Sequence, residues 1–236
     1  MKLHRFIYTD IENQKVGEKF SIKDLSLIHQ IKNVFRMEEG DRIIICDGNY
    51  RDYTSVIENI DKTELSILVE EITNLPKPDR EIYVFVSLIK QAKFDDMLPH
   101  LVEVGATKII PILTERTQKR NLKTERLKEI IKEATEQSGR GGVAELFPIM
   151  NFKEALYFSK KENLDIFIFH TKKDKVSQNQ NRGDCALFVG PEGGFTDEEI
   201  RMAKEMGAQN IFLGENILRA ETAGVVATYL ASQNLI

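Results

Sequence analysis

Leu187-Phe-Val-Gly-Pro-Glu-Gly-Gly-Phe-Thr196 and Phe212-Leu-Gly-Glu-Asn-Ile-Leu-Arg-Ala-Glu-Thr-Ala223 are two glycine-bearing loops, each entered from a short apolar, β-branched run and left through a helical pattern. Strand, glycine loop and helix, repeated twice, put both loops at one edge of a parallel sheet, where α/β proteins bind ligands. The pair predicts a small-molecule site in the last fifty residues.

The helices leaving these loops have readable ends. Thr196-Asp-Glu-Glu199 is a capping box, and Ile200, Ala203 and Met206 form an apolar stripe that stops at Gly207. Ala220–Leu230 is rich in Ala and β-branched residues and almost uncharged after Glu221, which predicts burial against a sheet or a second copy of the chain. Upstream, strand Ile82–Leu88, helix Phe94–Val104 closed by Gly105, strand Lys108–Pro111, helix Thr124–Ser138 closed near Gly139, and strand Asp165–His170 keep up the alternation. Residues 80–236 therefore read as a parallel α/β domain.

Residues 1–73 follow another rhythm: β-like runs Lys2–Tyr8, Lys19–Ile22, Asp41–Cys46, Asp52–Ile60 and Glu64–Glu71, punctuated by Gly17, Gly40 and Asp47-Gly48-Asn49. That spacing predicts a small β-barrel. One helix is expected within it, Asp24 to Phe35, with Leu25, Ile28, Ile31 and Phe35 at helical spacing. Residues 74–79, Asn-Leu-Pro-Lys-Pro-Asp, read as a linker stiffened by Pro76 and Pro78.

Composition bounds the rest. The 236 residues are 42% hydrophobic, enough for real cores, and carry a net charge of −4. Cys46 and Cys185 match no metal or redox spacing and read as buried free thiols in a reducing compartment. Met1-Lys-Leu-His-Arg-Phe lacks the apolar core of a signal peptide, and no apolar run approaches the ~18 residues of a membrane helix, so the expected location is cytoplasmic, with no membrane partner. The acidic total argues against nucleic acid, but Arg116, Lys119, Arg120, Lys123 and Arg126 face only Glu115 and Glu125 in one short stretch. A solvated helix start explains such a patch as well as RNA does.

The loops match neither the P-loop, which needs a Lys on the phosphates, nor the dinucleotide fingerprint. Gly193 and Gly194 allow close backbone approach, Pro191 fixes the turn, and Glu192 disfavours an anion. A sulfonium such as S-adenosyl-L-methionine suits them better than a phosphate, although a purely structural turn is equally compatible.

Taken together, Leu187-Phe-Val-Gly-Pro-Glu-Gly-Gly-Phe-Thr-x-x-Glu199 and Leu213-Gly-x-x-Ile-Leu-Arg-x-Glu-Thr-Ala223 resemble the paired signature of the knotted SPOUT-class RNA methyltransferases. Within that class the chain is most similar to the bacterial 16S ribosomal RNA uridine-N3 methyltransferase family. Val34-Phe-Arg-Met-x-x-Gly-Asp41 and Asp47-Gly48 resemble its N-terminal PUA-like barrel, and Val102-Glu-Val-Gly-Ala106, Thr114-Glu-Arg116 and Glu133-Ala-x-Glu-Gln-Ser-Gly-Arg140 its central segments.

The resemblance implies a C-terminal α/β domain with a deep trefoil knot, an exception to the avoidance of threaded chains, and a homodimer. It implies that Phe169, His170, Gly190, Glu192, Gly193, Gly194, Leu213, Gly214, Ile217 and Leu218 hold S-adenosyl-L-methionine. His170 reads equally well as a polar strand end. The implied substrate is uridine N3 of 16S rRNA in the small ribosomal subunit, with no metal. Arg219 is the implied catalytic cation, and Glu221 the base or the carboxylate that orients Arg219; a plain Arg219–Glu221 pair at a helix start is the bland alternative. RNA contacts are expected from Arg5, Lys32, Arg36, Arg116, Lys119, Arg120, Arg126, Gln137 and Arg140, Arg36 alternatively pairing with Glu38 or Glu39. The chain departs from the family pattern at Gln91, His100 and Asn216, the last standing where the family usually has Arg. Two rivals remain: a knotted enzyme acting on another base or a ribose hydroxyl, and a non-catalytic RNA-binding assembly factor.

Overall fold

A computed structural model describes residues 3–117, 122–170 and 183–236. Its contacts divide the chain into two units, Met1–Lys77 with Thr135–Val143, and Pro78–Ala134 with Ala144–Ile236. Segment 135–143 thus belongs with the N-terminal residues, a return that contiguous reading of the sequence did not contain.

The first unit holds strands β1 (His4–Ile7), β2 (Lys19–Ile22), β3 (Arg42–Cys46), β4 (Arg51–Ile60) and β5 (Leu65–Asn74) in one sheet of order β1-β3-β4-β5-β2. All pairings are antiparallel except β1 with β3. Register shifts at Thr54/Ser55 and Ile57/Asn59 mark irregularities of the bulge kind, which bend and twist a ladder. Phe6, Ile22, Ile43, Ile45, Tyr53, Ile57, Leu65 and Ile67 bury their side chains together, the period-2 set of each strand. Asp24 caps α1 (Leu25–His29) by accepting from the Ser26 and Leu27 amides at 2.8 and 3.0 Å. The helix then widens into a π turn, Gln30–Val34. Ile28 and Ile31 of the expected stripe are buried and Leu27 joins them, whereas Leu25, the first residue of the helix, is exposed.

Segment 135–143 is bonded tightly to this sheet. Arg5 donates to Asp52 at 2.8 Å, to the Thr135 carbonyl at 3.2 Å and to Cys46 Sγ at 2.8 Å, and Glu136 accepts from the Ile7 amide at 2.9 Å. A Cβ on Gly142 would stand 2.5 Å from the Tyr50 ring, so only glycine lets the two lie this close.

The second unit is a seven-stranded, wholly parallel sheet of order β12-β10-β11-β6-β7-β8, with β9 also on β7. Its strands are β6 (Ile82–Ser87), β7 (Lys108–Leu113), β8 (Glu145–Leu146), β9 (Met150–Asn151), β10 (Asp165–Phe169), β11 (Cys185–Val189) and β12 (Gln209–Ile211). Helices α2 (Gln91–Glu103), α3 (Thr124–Ser138) and α6 (Ala220–Ser232) contribute Phe94, Leu98, Leu127, Ile131, Ala227 and Ala231 to the core that holds Ile82, Val84 and Val86. Helices α4 (Phe152–Lys161) and α5 (Asp197–Glu205) pack Phe152, Leu156 and Ala203 with Tyr83, Phe85 and Phe188 on the opposite face. Both faces are covered, which is why β6 and β11 are buried at every position.

α6 packs on α2, where a Cβ on Gly224 would stand 3.4 Å from Met97 Sδ and 3.7 Å from Leu101 Cδ2, ordinary van der Waals contact. Tyr229 on the same helix is exposed. The α5 capping box forms as expected, Glu199 accepting from the Thr196 amide at 2.8 Å and Thr196 Oγ1 from the Glu199 amide at 3.2 Å. The sequence reading omitted α4, although Asn151-x-x-Glu154 is a capping box of the same kind. It also omitted β8 and β9, which are too short to show a period. Burial pushes both thiols, Cys46 and Cys185, up to about 12. Among the described residues no helix is long and apolar enough to cross a membrane.

Candidate functional site

Three adjacent strands, β12, β10 and β11, end at one edge of the parallel sheet, and the loops leaving β11 and β12, with Phe169 and His170 at the end of β10, line a cavity of about 470 Å³. Parallel strands share a direction, so their exits share an edge. After β11, Gly194 donates to the Pro191 carbonyl at 2.8 Å and adopts φ +67°, a left-handed conformation that glycine takes without strain. A Cβ on Gly190 would sit 3.2 Å from the Phe195 ring, and one on Gly193 3.3 Å from Arg116 Cδ. After β12, Gly214 takes φ +128° with open space on its Cβ side.

All ten residues expected to hold the cofactor line this cavity, and so does Arg219. The walls are apolar at Phe169, Val189, Ile211, Leu213 and Leu218, with Glu192 as the acid and Arg116 and Arg219 as the cations. Ile217 is 84% exposed on the rim, an apolar side chain facing solvent. A set of apolar walls, free backbone groups and one acid suits a flat heterocycle carrying a cationic tail. Asn216 also lines the cavity, so the departure from the family's Arg falls inside the site.

Arg219 is the N-cap of α6 and is exposed. Glu221 stands in the first turn of the same helix, but no ion pair joins the two among the described residues. Glu221 instead faces Lys93 of α2, whose Nζ is 3.5 Å from Glu221 Oε1 and 3.5 Å from Glu192 Oε1. The expected role of Glu221 in orienting Arg219 is thus replaced by an interaction with a lysine that sequence reasoning did not single out. Among the described residues, Glu221 Oε2 is buried without a hydrogen-bond partner, as are Ser87 Oγ at the end of β6 and Gln91 Oε1 at the start of α2.

Arg116 is a second correction. Its Nη1 donates to the Gly193 carbonyl at 2.6 Å and to the Phe195 carbonyl at 3.3 Å, so it braces the glycine loop. Buried Glu199 braces the loop carrying Arg116, accepting from the Glu115 amide at 2.9 Å. Neither role was visible in the sequence, because both pair residues about eighty positions apart.

The expected RNA contacts are dispersed. Arg5 is a structural cation, its side chain 8% exposed in the Asp52 pair. Lys32 donates to the Ile60 carbonyl at 2.9 Å, and Arg126 pairs with Asp95 at 2.8 Å. Arg36, at φ +55°, is exposed and forms no ion pair with Glu38 or Glu39 among the described residues. Gln137 is exposed and Arg140 half-buried. Lys119 and Arg120 lie outside the described residues. His100 turns back on its own helix, Nδ1 lying 2.8 Å from the Asp96 carbonyl. No cluster of three or more metal-ligating side chains occurs among the described residues.

Comparison with known proteins converges on one family. An RNA methyltransferase domain model matches residues 76–232, and an RNA methyltransferase PUA domain model matches residues 27–70. The chain is 32% identical to ribosomal RNA small subunit methyltransferase E of Rickettsia conorii over 223 residues, covering 91% of each chain. It is 31% identical to the Bacillus subtilis protein of the same name, covering 93% of each. Among solved structures, ribosomal RNA small subunit methyltransferase E of Neisseria gonorrhoeae, bound to S-adenosyl methionine, superposes with a TM-score of 0.86 at 30% identity, covering 96% of this chain and 95% of that one. A Legionella pneumophila methyltransferase with bound cofactor gives 0.87 at 25% identity, covering 99% and 98%. With models matching both its N-terminal and its methyltransferase regions, and relatives spanning nine-tenths of its length, the chain belongs to the ribosomal RNA small subunit methyltransferase E family of RNA methyltransferases.

Proposed function

We propose that this protein transfers a methyl group from S-adenosyl-L-methionine to N3 of a uridine in 16S ribosomal RNA of the small ribosomal subunit. One observation carries the proposal: the ten residues that the family resemblance assigns to the cofactor line a single cavity, with Arg219 on its wall. When bound, S-adenosyl-L-methionine supplies a methyl carbon on a sulfonium and leaves as a neutral thioether. The residues fit such a guest, with Phe169, Val189, Ile211, Leu213 and Leu218 around a heterocycle and Glu192 beside a positive charge.

Uridine N3 must lose its proton to become nucleophilic, and the resulting negative charge spreads onto the two flanking carbonyl oxygens. Arg219, exposed at the start of α6, stabilises that charge. Glu221, with one oxygen unpaired, takes the proton and passes it to water. Gly193, Gly194 and the Arg116 brace hold the loop so that the nucleophile meets the methyl carbon in line.

The proposal extends to a trefoil knot in the second unit and to a homodimer in the cytoplasm. Exposed Ile217 and Tyr229, before and on α6, support a surface that a second copy covers. Phosphate contacts are assigned to Lys32, Arg36, Gln137 and Arg140 on the first unit and to Arg126 on the second.

The test is incubation of the protein with labelled S-adenosylmethionine and unmodified small subunits, followed by nucleoside mass spectrometry. Label in 3-methyluridine is expected. Label on a ribose, on another base or nowhere would overturn the assignment.

A further inference from the structure

Glu199, buried in the first turn of α5, uses its two carboxylate oxygens on two different loops. Oε2 accepts from the Thr196 amide at 2.8 Å and from the Thr196 hydroxyl at 3.3 Å, which completes the capping box. Oε1 accepts from the Glu115 amide at 2.9 Å, in the loop leaving β7, a contact that no helix cap requires. One residue further on, Arg116 donates to the Gly193 and Phe195 carbonyls. The β7 exit loop therefore grips residues 193–199 at two points, buried Glu199 and cavity-lining Arg116. Asp197 and Glu198 share the turn with Glu199 but are exposed. Burying a carboxylate costs free energy unless donors meet it, and the Glu115 amide is one of the donors that do.

We propose that Glu199 is a positioning residue for the cofactor cavity and acts through Arg116. The inference rests on the cofactor reading given above. By fixing the backbone at Glu115, the carboxylate holds the root of the neighbouring Arg116 side chain, so the guanidinium gives up less freedom in reaching the two carbonyls. Those carbonyls belong to the loop whose Gly190, Glu192, Gly193 and Gly194 line the cavity. A loop already held in shape spares an incoming ligand the free energy of ordering it. The effect is one of shape and not of charge, so it favours the cationic methyl donor and its neutral thioether product alike.

The experiment measures the dissociation constants of S-adenosylmethionine and S-adenosylhomocysteine by calorimetry, with kcat, KM, urea unfolding and amide hydrogen exchange, for wild type and variants. Glu199→Gln leaves one acceptor oxygen for two loops, and Gln still completes a capping box. It should weaken both ligands about three- to fivefold, raise KM to match, leave kcat within about twofold and strip the Glu115 amide of its protection. Glu199→Ala should do the same with a larger drop in urea midpoint. Thr196→Ala, which removes the cap hydroxyl, should lower the urea midpoint while both affinities stay within about twofold. In an Arg116→Ala background, Glu199→Gln should add less than about twofold, because both act on the same brace. Unchanged affinity in a Glu199 variant whose Glu115 amide exchanges freely would overturn the proposal. So would a loss confined to the cationic donor, an equal loss in Thr196→Ala, or full additivity with Arg116→Ala. Wild type that binds neither ligand would instead overturn the cofactor reading beneath it.

Discussion

The glycine loops and the expected RNA-binding cations were read from the same sequence, yet the structure treats them oppositely. The loop residues gather: every one lines the same cavity. The cations scatter: Arg5 is buried on Asp52, Arg116 braces a loop, Arg126 sits on Asp95, and Lys32 reaches the Ile60 carbonyl. The difference teaches what a local pattern can specify. A glycine at positive φ after a strand has its position and role fixed by backbone geometry within a few residues. A cation at the end of a long side chain takes its role from whatever acid or carbonyl the fold brings near it.

The sharpest way to break the comparison is Arg219, a cation expected to behave like the loop residues. Arg219→Ala should lower kcat by about 10²–10³ while the cofactor dissociation constant changes little, read by single-turnover transfer and calorimetry. Unchanged turnover would move Arg219 to the scattered class. Next in size is Arg5 with Asp52. Asp52→Ala should cost about 3 kcal/mol in urea unfolding, because it strands a buried guanidinium. An effect on RNA affinity without loss of stability would return Arg5 to the RNA surface.

A smaller effect tests the loop brace. Arg116→Ala should weaken cofactor binding about fivefold, roughly 1 kcal/mol for hydrogen bonds made by an exposed guanidinium. Loss of RNA binding with cofactor affinity intact would assign Arg116 to phosphate instead. Smallest is Arg126→Gln, whose pair with Asp95 is 61% exposed on the arginine side and worth about 0–1 kcal/mol. Its stability should hardly move, while the slope of log affinity against log salt for small-subunit RNA should fall by about one.

Much of the fold was legible because its signals are periodic or are punctuation. Lys19–Ile22 and Thr124–Ser138 form over the expected residues, and Thr196 and Glu199 cap α5 reciprocally. The misses have physical causes. Strands of two residues, β8 and β9, have no period to read. Leu25 faces solvent at the first position of α1, while Leu27, Ile28 and Ile31 take the buried face, and hydropathy alone does not tell these leucines apart. In the site, Lys93 was passed over because nothing in its own neighbourhood separates it from any other lysine at a helix start.

The sequence by itself determined the parallel α/β alternation and the two strand-end glycine loops, since alternating patterns and strand-end glycines are local instructions, and its family resemblance named the ten residues that line the cavity. Only the tertiary structure decided which charges meet: Lys93 between Glu192 and Glu221, Arg116 on Gly193, Arg5 on Asp52, and segment 135–143 with the N-terminal strands. Those partners lie from 47 to 130 residues apart along the chain. Coulomb and hydrogen-bond energies depend on ångströms of separation in space, and no spacing in sequence encodes that distance until the chain has folded.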